Sequence, residues 1–331
     1  MKYVLWATLI MSLQAVAQVE PQPAYQAEQA TQTLFTDITA TDDKVIAVGQ
    51  HGTIVFSLDG QQWQQANSPV DILLTAVYFI DNENGWACGH DATILNSQDG
   101  GQNWQVQQFN PEIDKPCLDI TFFDAEHGVA VGAYGMYLQT KDGGKTWEKR
   151  FLDSLLFEED REYLLDLKEN DAEGFAIESA SILPHFNRIV STSKGLYIAG
   201  EMGLIAHSAD NGETWQRDEE IYPGSFFDIA EFQDRILVAG LRGNAFVYGD
   251  ESDWLQLDTD QEATMNGIMT TKNNGLYIFG NSAVIYHLED VNSLELQSEQ
   301  LSDGKAILNG VEFKGQLILA TEAGIKSKEF N

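Results

Sequence analysis

A run of eight residues, Ser97-Gln98-Asp99-Gly100-Gly101-Gln102-Asn103-Trp104, returns as Thr140-Lys141-Asp142-Gly143-Gly144-Lys145-Thr146-Trp147 and again as Ser208-Ala209-Asp210-Asn211-Gly212-Glu213-Thr214-Trp215. Three copies of Ser/Thr-x-Asp-x-Gly-x-x-Trp in one chain require an internal repeat. A shortened copy, Ser57 to Trp63, precedes them and a decayed one, Tyr248 to Trp254, follows. Each residue type suits a tight turn between strands. The Asp and Ser/Thr oxygens accept from backbone N–H groups, and Gly reaches φ > 0 without a Cβ clash. Trp then buries a large ring between neighbouring sheets. The Asp of the box is therefore read as turn chemistry and not as a catalytic acid.

The box is one part of a longer unit in which an apolar strand ends at Gly, turns, and starts a second strand that runs into the box. The Gly falls at 49, 89, 132, 200, 240 and 280, with Thr321 in its place in a seventh unit, at steps of 40, 43, 68, 40, 40 and 41 residues. Seven units of short strands at this period predict an all-β fold, a seven-bladed β-propeller of four-stranded blades over residues 18–331. A further strand precedes each turn and is expected to line a central channel: Thr36-Asp37-Ile38, Thr75-Ala76-Val77, Leu118-Asp119-Ile120, Asn187-Arg188-Ile189, Phe227-Asp228-Ile229, Asn266-Gly267-Ile268 and Asn309-Gly310-Val311. The last unit ends after its third strand, and an uncovered edge invites aggregation. Residues 19–27 are expected to supply the missing strand, so that the N-terminal segment closes the ring.

The 68-residue step holds an insertion at about 151–180, between blades 3 and 4, with ten acidic residues against Arg161 and Lys168. Its apolar positions Leu155, Leu156, Tyr163, Leu164, Leu165 and Leu167 space as a helix does. No EF-hand spacing is present, so an acidic, partly helical decoration is expected.

Lys and Arg total 19 against 51 Asp and Glu, a formal charge of −32, which repels polyanions and argues against nucleic acid as a partner. Met1-Lys2, the apolar run from Tyr3 to Leu13 and Ala15-Val16-Ala17 read as a signal peptide, residues 1–17, cleaved after Ala17; a periplasmic or secreted location is expected. Cys88 and Cys117 are the two cysteines, and they admit either one disulfide or two separate buried thiols.

Leu118-Asp119-Ile120-Thr121-Phe122-Phe123, Gly128-Val129-Ala130-Val131-Gly132, the box from Thr140 to Trp147, and Gly85-Trp86-Ala87-Cys88-Gly89 give the chain a more specific likeness than the boxes alone. With these the chain resembles the photosystem II stability and assembly factor family, within the broader Asp-box or bacterial neuraminidase repeat (BNR) propellers. The resemblance implies an exported, non-enzymatic propeller that binds membrane-protein assembly intermediates. Photosynthetic members are similar in carrying an Arg-rich patch on one face, whereas this chain has six Arg and is strongly acidic. A non-photosynthetic bacterial relative with a different client is implied.

The turns between second and third strands gather at one mouth of a propeller channel. His51, His90, Tyr134, Glu201 and Arg242 exceed what a turn requires and are the expected recognition ring. His51 and His90 with Asp91 lack the spacing of a zinc site, so no metal is expected. A sialidase-like hydrolase would need an Arg triad with a Tyr/Glu pair and an acid Asp; here Arg occurs at 150, 161, 188, 217, 235 and 242, all mid-chain. A secreted receptor-like or adhesive propeller is a further alternative. The expectation is a monomeric scaffold, not an enzyme, with no cofactor and no small-molecule substrate, whose partner is a membrane or envelope protein complex.

Overall fold

Apolar runs such as Val45–Gly49, Gly85–Gly89 and Gly128–Gly132 are buried at every position, because each lies inside a sheet covered on both faces by its neighbours. The computed structural model describes residues 20–113, 115–249, 253–271, 275–288, 290 and 292–329; the expected signal segment lies outside these. Among the described residues seven antiparallel sheets follow one another, each a four-strand meander except the seventh, which has three strands. Their innermost strands are Phe35–Ala40, Leu74–Phe79, Cys117–Phe122, Phe186–Thr192, Phe226–Phe232, Met265–Thr270 and Ile307–Phe313. Blade-to-blade apolar clusters fill the gaps between sheets, for example Ile46, Val48 and Phe56 of blade 1 against Val77, Leu95 and Trp104 of blade 2.

Every innermost strand carries an irregularity at the same place, one residue after it begins. The bulge re-aims the side chains that follow it toward the channel. It also sets the register of blade 7. The irregularity lies between Ile307 and Asn309, so Asn309 and not Gly310 occupies the position that Asp37 holds in blade 1. The expected alignment of Asn309-Gly310-Val311 is thus displaced by one residue.

Each box closes on itself. Gly101 N–H donates to Ser97 Oγ at 2.9 Å, Gln102 and Asn103 N–H donate to Asp99 Oδ1 at 3.1 and 2.9 Å, and Trp104 Nε1–H donates to the Gly101 carbonyl at 3.0 Å. Blades 3 and 4 repeat the arrangement around Asp142 and Asp210, with Thr146 and Thr214 donating through both N–H and Oγ1. These bonds hold the Asp99 and Asp142 carboxyls below the usual range and bring Asp210 to about 2.

Of the segment 19–27 expected to supply the fourth strand of blade 7, the described residues 20–27 do not do so. Pro21 and Pro23 have no N–H to donate to a ladder, and the described part of the segment lies along blade 1 instead. There Ala24 N–H donates to the Ser68 carbonyl at 3.1 Å, and the Gln65 side chain bonds Tyr25 and Ala27 backbone groups. The N-terminal segment reaches the seam through a 3-10 turn, Ala30–Gln32, whose Ala30 packs with Phe313, Ile318 and Ala320 of blade 7. Lys326 and Lys328 mark the edge strand Gly324–Glu329, a charged edge of the kind that resists further pairing.

The insertion forms α1, Glu158–Asn170, and α2, Ala172–Glu178, joined at Asp171, which caps α2 by accepting from Gly174 N–H at 3.0 Å. Leu152, Leu155, Leu156 and Leu164 enter the core between blades 3 and 4, while Tyr163 and Leu165 stay exposed.

Cys88 of blade 2 and Cys117 of blade 3 are joined by a disulfide across 29 residues of sequence. Closing such a loop removes chain entropy from the unfolded state worth about 3–4 kcal/mol. Urea unfolding of the Cys88→Ser/Cys117→Ser chain is expected to show a loss of that order, and reductant is expected to lower the midpoint of the native chain alone.

Candidate functional site: the channel and its mouth

Asp37, Asp119 and Asp228 stand at the same position of blades 1, 3 and 5, and each reaches sideways to the next blade. Asp37 Oδ2 accepts from Val77 N–H at 2.9 Å, Asp119 Oδ2 from Ile189 N–H at 2.8 Å, and Asp228 Oδ2 from Ile268 N–H at 2.6 Å. The second oxygens of Asp119 and Asp228 accept from Ile120 and Ile229 N–H, and Asp37 Oδ1 accepts from Asn309 Nδ2 at 2.6 Å across the ring seam. Blade 4 places Arg188 in the same position. Its guanidinium lies 3.0 Å from Asp228, 3.5 Å from Asp119 and 3.7 Å from Asp37, with a quarter of the side chain accessible.

Burial pushes the Asp119 carboxyl up to about 7, with Arg188 pulling it down and the charge of Asp37 adding to the rise. Burial also raises Asp228 against the pull of Arg188. Burial disfavours the charge on Arg188 too, but Asp119, Asp228 and Asp37 outweigh it and hold the guanidinium above its ordinary value. This layer divides the channel. A depression of about 410 Å³ opens above it and a smaller one of about 260 Å³ below.

The upper depression is walled by apolar Leu118, Phe227 and Leu308 alternating with Thr36, Thr75, Asn187 and Asn266. The polar set is engaged in stitching blades: Thr36 and Thr75 Oγ1–H donate to the Leu74 and Cys117 carbonyls, and Asn187 and Asn266 Nδ2–H to those of Phe226 and Ile307. His185 and Glu201 enter at the mouth, with His185 Nδ1 3.4 Å from Glu201 Oε1. Tyr134 meets the His185 ring edge to face at 4.6 Å, and Lys115 Nζ–H donates to the Tyr134 carbonyl at 3.2 Å.

Of the five residues expected in a ring, Glu201 and Tyr134 thus join one cluster at the mouth. His51, Tyr134 and Arg242 occupy left-handed backbone, φ 56°, 52° and 57°, followed by Gly at positive φ, and they project from turn tips. His51 pairs with Asp71 at 3.2 Å. His90, His51 and Arg242 stand on the rim and do not line the depression. Among the described residues no group of three His, Cys, Asp or Glu is placed to hold a metal. The Asp–Arg layer and His185 were missed by sequence reasoning, although the aligned x-Asp-apolar triplets of blades 1, 3 and 5 carried the signal.

The other Arg side chains are each engaged by partners of their own. Arg150 donates to the Gly212 and Glu213 carbonyls, Arg161 pairs with Glu158 on α1, Arg217 donates to the Leu155 and Met202 carbonyls, and Arg235 donates to Asn292. They form neither a carboxylate-binding triad nor a basic patch.

Residues 55–116 and 107–189 match the family described as photosynthesis system II assembly factor YCF48. Over 49 residues the chain is 35% identical to the Photosystem II assembly protein Ycf48 of Thermosynechococcus vestitus, covering 15% of this chain and 14% of that protein. Over 63 residues it is 32% identical to the Immune protein Tsi7 of Pseudomonas aeruginosa, covering 19% of this chain and 20% of that protein. The aligned stretches therefore span a fifth or less of these relatives. A solved structure of YCF48 bound to a D1 peptide superposes with a TM-score of 0.66 over 96% of this chain and 99% of that one, at 17% identity, a likeness of fold.

Removing the cation from the layer tests its balance. Arg188→Met leaves three buried carboxylates facing one another, with an expected loss of about 3–5 kcal/mol at pH 7. Without Arg188 the folded pKa values of Asp119 and Asp228 rise further above the unfolded value. The folded state then binds the extra protons, and stability falls as pH climbs from about 4 toward 7. Denaturation of the variant should show a smaller deficit at pH 5 than at pH 7; equal deficits at the two would contradict the account.

Proposed function

The chain is a Ycf48-like seven-bladed β-propeller, and from that premise we propose that it is a non-enzymatic scaffold whose channel mouth captures a protein client. The observation that carries the reading is the sealed floor beneath the mouth. The charges of the Asp37–Asp119–Asp228–Arg188 layer are bonded to one another and to backbone N–H groups, so none is held ready for a reacting group. Around that floor stand turn tips with exposed Tyr134 and Met202, beside His51, His90 and Arg242. A shallow site with a rim of mixed aromatic and ionisable side chains suits a protein surface or peptide more than a small substrate.

The client is a component of a membrane or envelope protein complex, met outside the cytoplasm. Export is supported by the apolar run ending at Ala15-Val16-Ala17 and by the Cys88–Cys117 disulfide, which is maintained in an oxidising compartment. The six dispersed Arg and the charge of −32 favour a client unlike that of the photosynthetic relatives, with basic and not acidic contact surfaces.

Photo-crosslinking in cells from positions 90 and 134 should trap one predominant partner. The variant His90→Ala/Tyr134→Asn/Arg242→Asn, with Asn chosen where the backbone is left-handed, should lose that partner while its melting temperature stays within about 2 °C, a shift worth less than about 1 kcal/mol. An undiminished pull-down would remove the mouth from consideration. A fluorogenic sialoside should be left intact by the purified chain; turnover would replace the scaffold reading with the hydrolase one.

A further inference from the structure

Trp104 and Trp215 close the outer gaps before their blades, at 5% and 6% exposure. Blade 5 carries the decayed box, one residue shorter between its first residue and its Trp than the full copies. Its Trp254 stays half-buried against Tyr248, ring centroids 5.2 Å apart, and the outer gap between blades 4 and 5 is open. A groove of about 520 Å³ results. One wall is Tyr197 and His207 of blade 4, on Gly195–Gly200 and Ile205–Ser208, with ring centroids 5.9 Å apart. The other is Tyr248 and Trp254 of blade 5, on Ala245–Tyr248 and Trp254–Gln256.

Asp218 is set between the walls, 18% exposed, with Oδ1 2.6 Å from His207 Nδ1. Glu219, Glu220 and Asp253 line the groove as exposed carboxylates. Arg217 lines it as well, but its guanidinium is directed to the insertion: Nη1 and Nη2 donate to the Leu155 and Met202 carbonyls, and the group lies 3.9 Å over the Phe157 ring. Aromatic faces above carboxylates attract an organic cation through the ring quadrupole and through charge together.

We propose that this groove receives a lysine or arginine side chain presented by a basic segment of a partner protein, its stem between the aromatic walls and its cation beside Asp218 and Glu220. A stem of three or four methylenes fills apolar width that an inorganic ion leaves empty, and an anionic segment is repelled by the carboxylates. The groove is on the outer edge between blades and is independent of the channel mouth.

Hexalysine peptide, titrated by calorimetry against the full chain at low salt, is the probe. Because the whole molecule is acidic, the decisive comparison is between equal charge changes at different places. Glu219→Lys/Glu220→Lys is expected to weaken binding by about tenfold or more, and Trp254→Ala by a similar factor, while Trp254→Phe keeps an aromatic face and stays within about threefold of native. Glu158→Lys/Glu159→Lys on exposed α1, the same change in net charge, should also stay within about threefold. The channel-mouth variant should bind hexalysine as the native chain does, which separates this inference from the fate of the mouth. Absence of saturable binding, an equal loss from the α1 variant, or full binding by Trp254→Ala would each overturn the groove. If Trp254→Ala fails to fold, the Phe variant and the paired Lys variants decide.

Discussion

A single backbone contact organises the ring. In all seven blades the carbonyl just ahead of the innermost strand accepts the N–H of the residue that follows the end of the second strand: Leu34 from Gln50, Leu73 from His90, Pro116 from Ala133, His185 from Glu201, Ser225 from Leu241, Thr264 from Asn281 and Ala306 from Glu322. That carbonyl comes so near that a Cβ on Gly49 would meet Leu34 O at 2.1 Å, and one on Gly240 would meet Ser225 O at 2.0 Å. The Gly is required by close approach, since its own backbone at Gly49 and Gly240 is extended. Fixing the turn over the channel end then throws the next residues outward. The crown of side chains around the mouth is a consequence of a bond the backbone has to make.

This explains what the sequence disclosed and what it concealed. Glycines forced by a carbonyl recur in six of the seven blades and indoles wanted for their volume in five, so the period of about 40 residues and the blade count were legible. Gly310 misled for the same reason. It follows an Asn as Gly267 follows Asn266, but it is small because a Cβ there would meet the Phe279 ring at 2.6 Å, a different demand at a neighbouring position. A bulge adds one residue without leaving a mark in composition, and register through it is decided by pairing. The N-terminal segment misled because an open edge is only an opportunity; Pro21 and Pro23 lack the donors to take it, whereas the Gln65 amide and the Ser68 carbonyl offered bonds nearby.

The channel layer was hidden by abundance. Among 51 acidic residues, three that share a blade position draw no notice, although each ties its strand to the next blade through a buried backbone N–H. Blade 4 interrupts the series with Arg188, and blade 7 substitutes Asn309, whose amide donates to Asp37 where an Asp would have repelled it. The ring therefore closes on a neutral-to-charged hydrogen bond at its seam, and among the described residues its two ends share no strand. That choice places the burden of closure on the apolar contacts of Phe35, Ile38, Phe313 and Ile318.

Repetition also shows where the molecule departs from its own rule. A box that keeps its spacing delivers an indole into the gap before its blade and makes that gap part of the core, as Trp104, Trp147 and Trp215 do against Phe79, Phe122 and Tyr137. At blade 5, whose box has also lost its Ser/Thr, the indole stays half-buried and the wedge between sheets is left as a groove. A second opening of about 230 Å³ lies between blades 6 and 7, bordered by Tyr277, His287 and Lys328. An array of identical, fully plugged gaps offers no outer site to anything. Decay of the repeat is thus a physical route by which a scaffold with uniform blades acquires distinct surfaces, and the acidic, aromatic groove at blades 4 and 5 is the larger of these two openings.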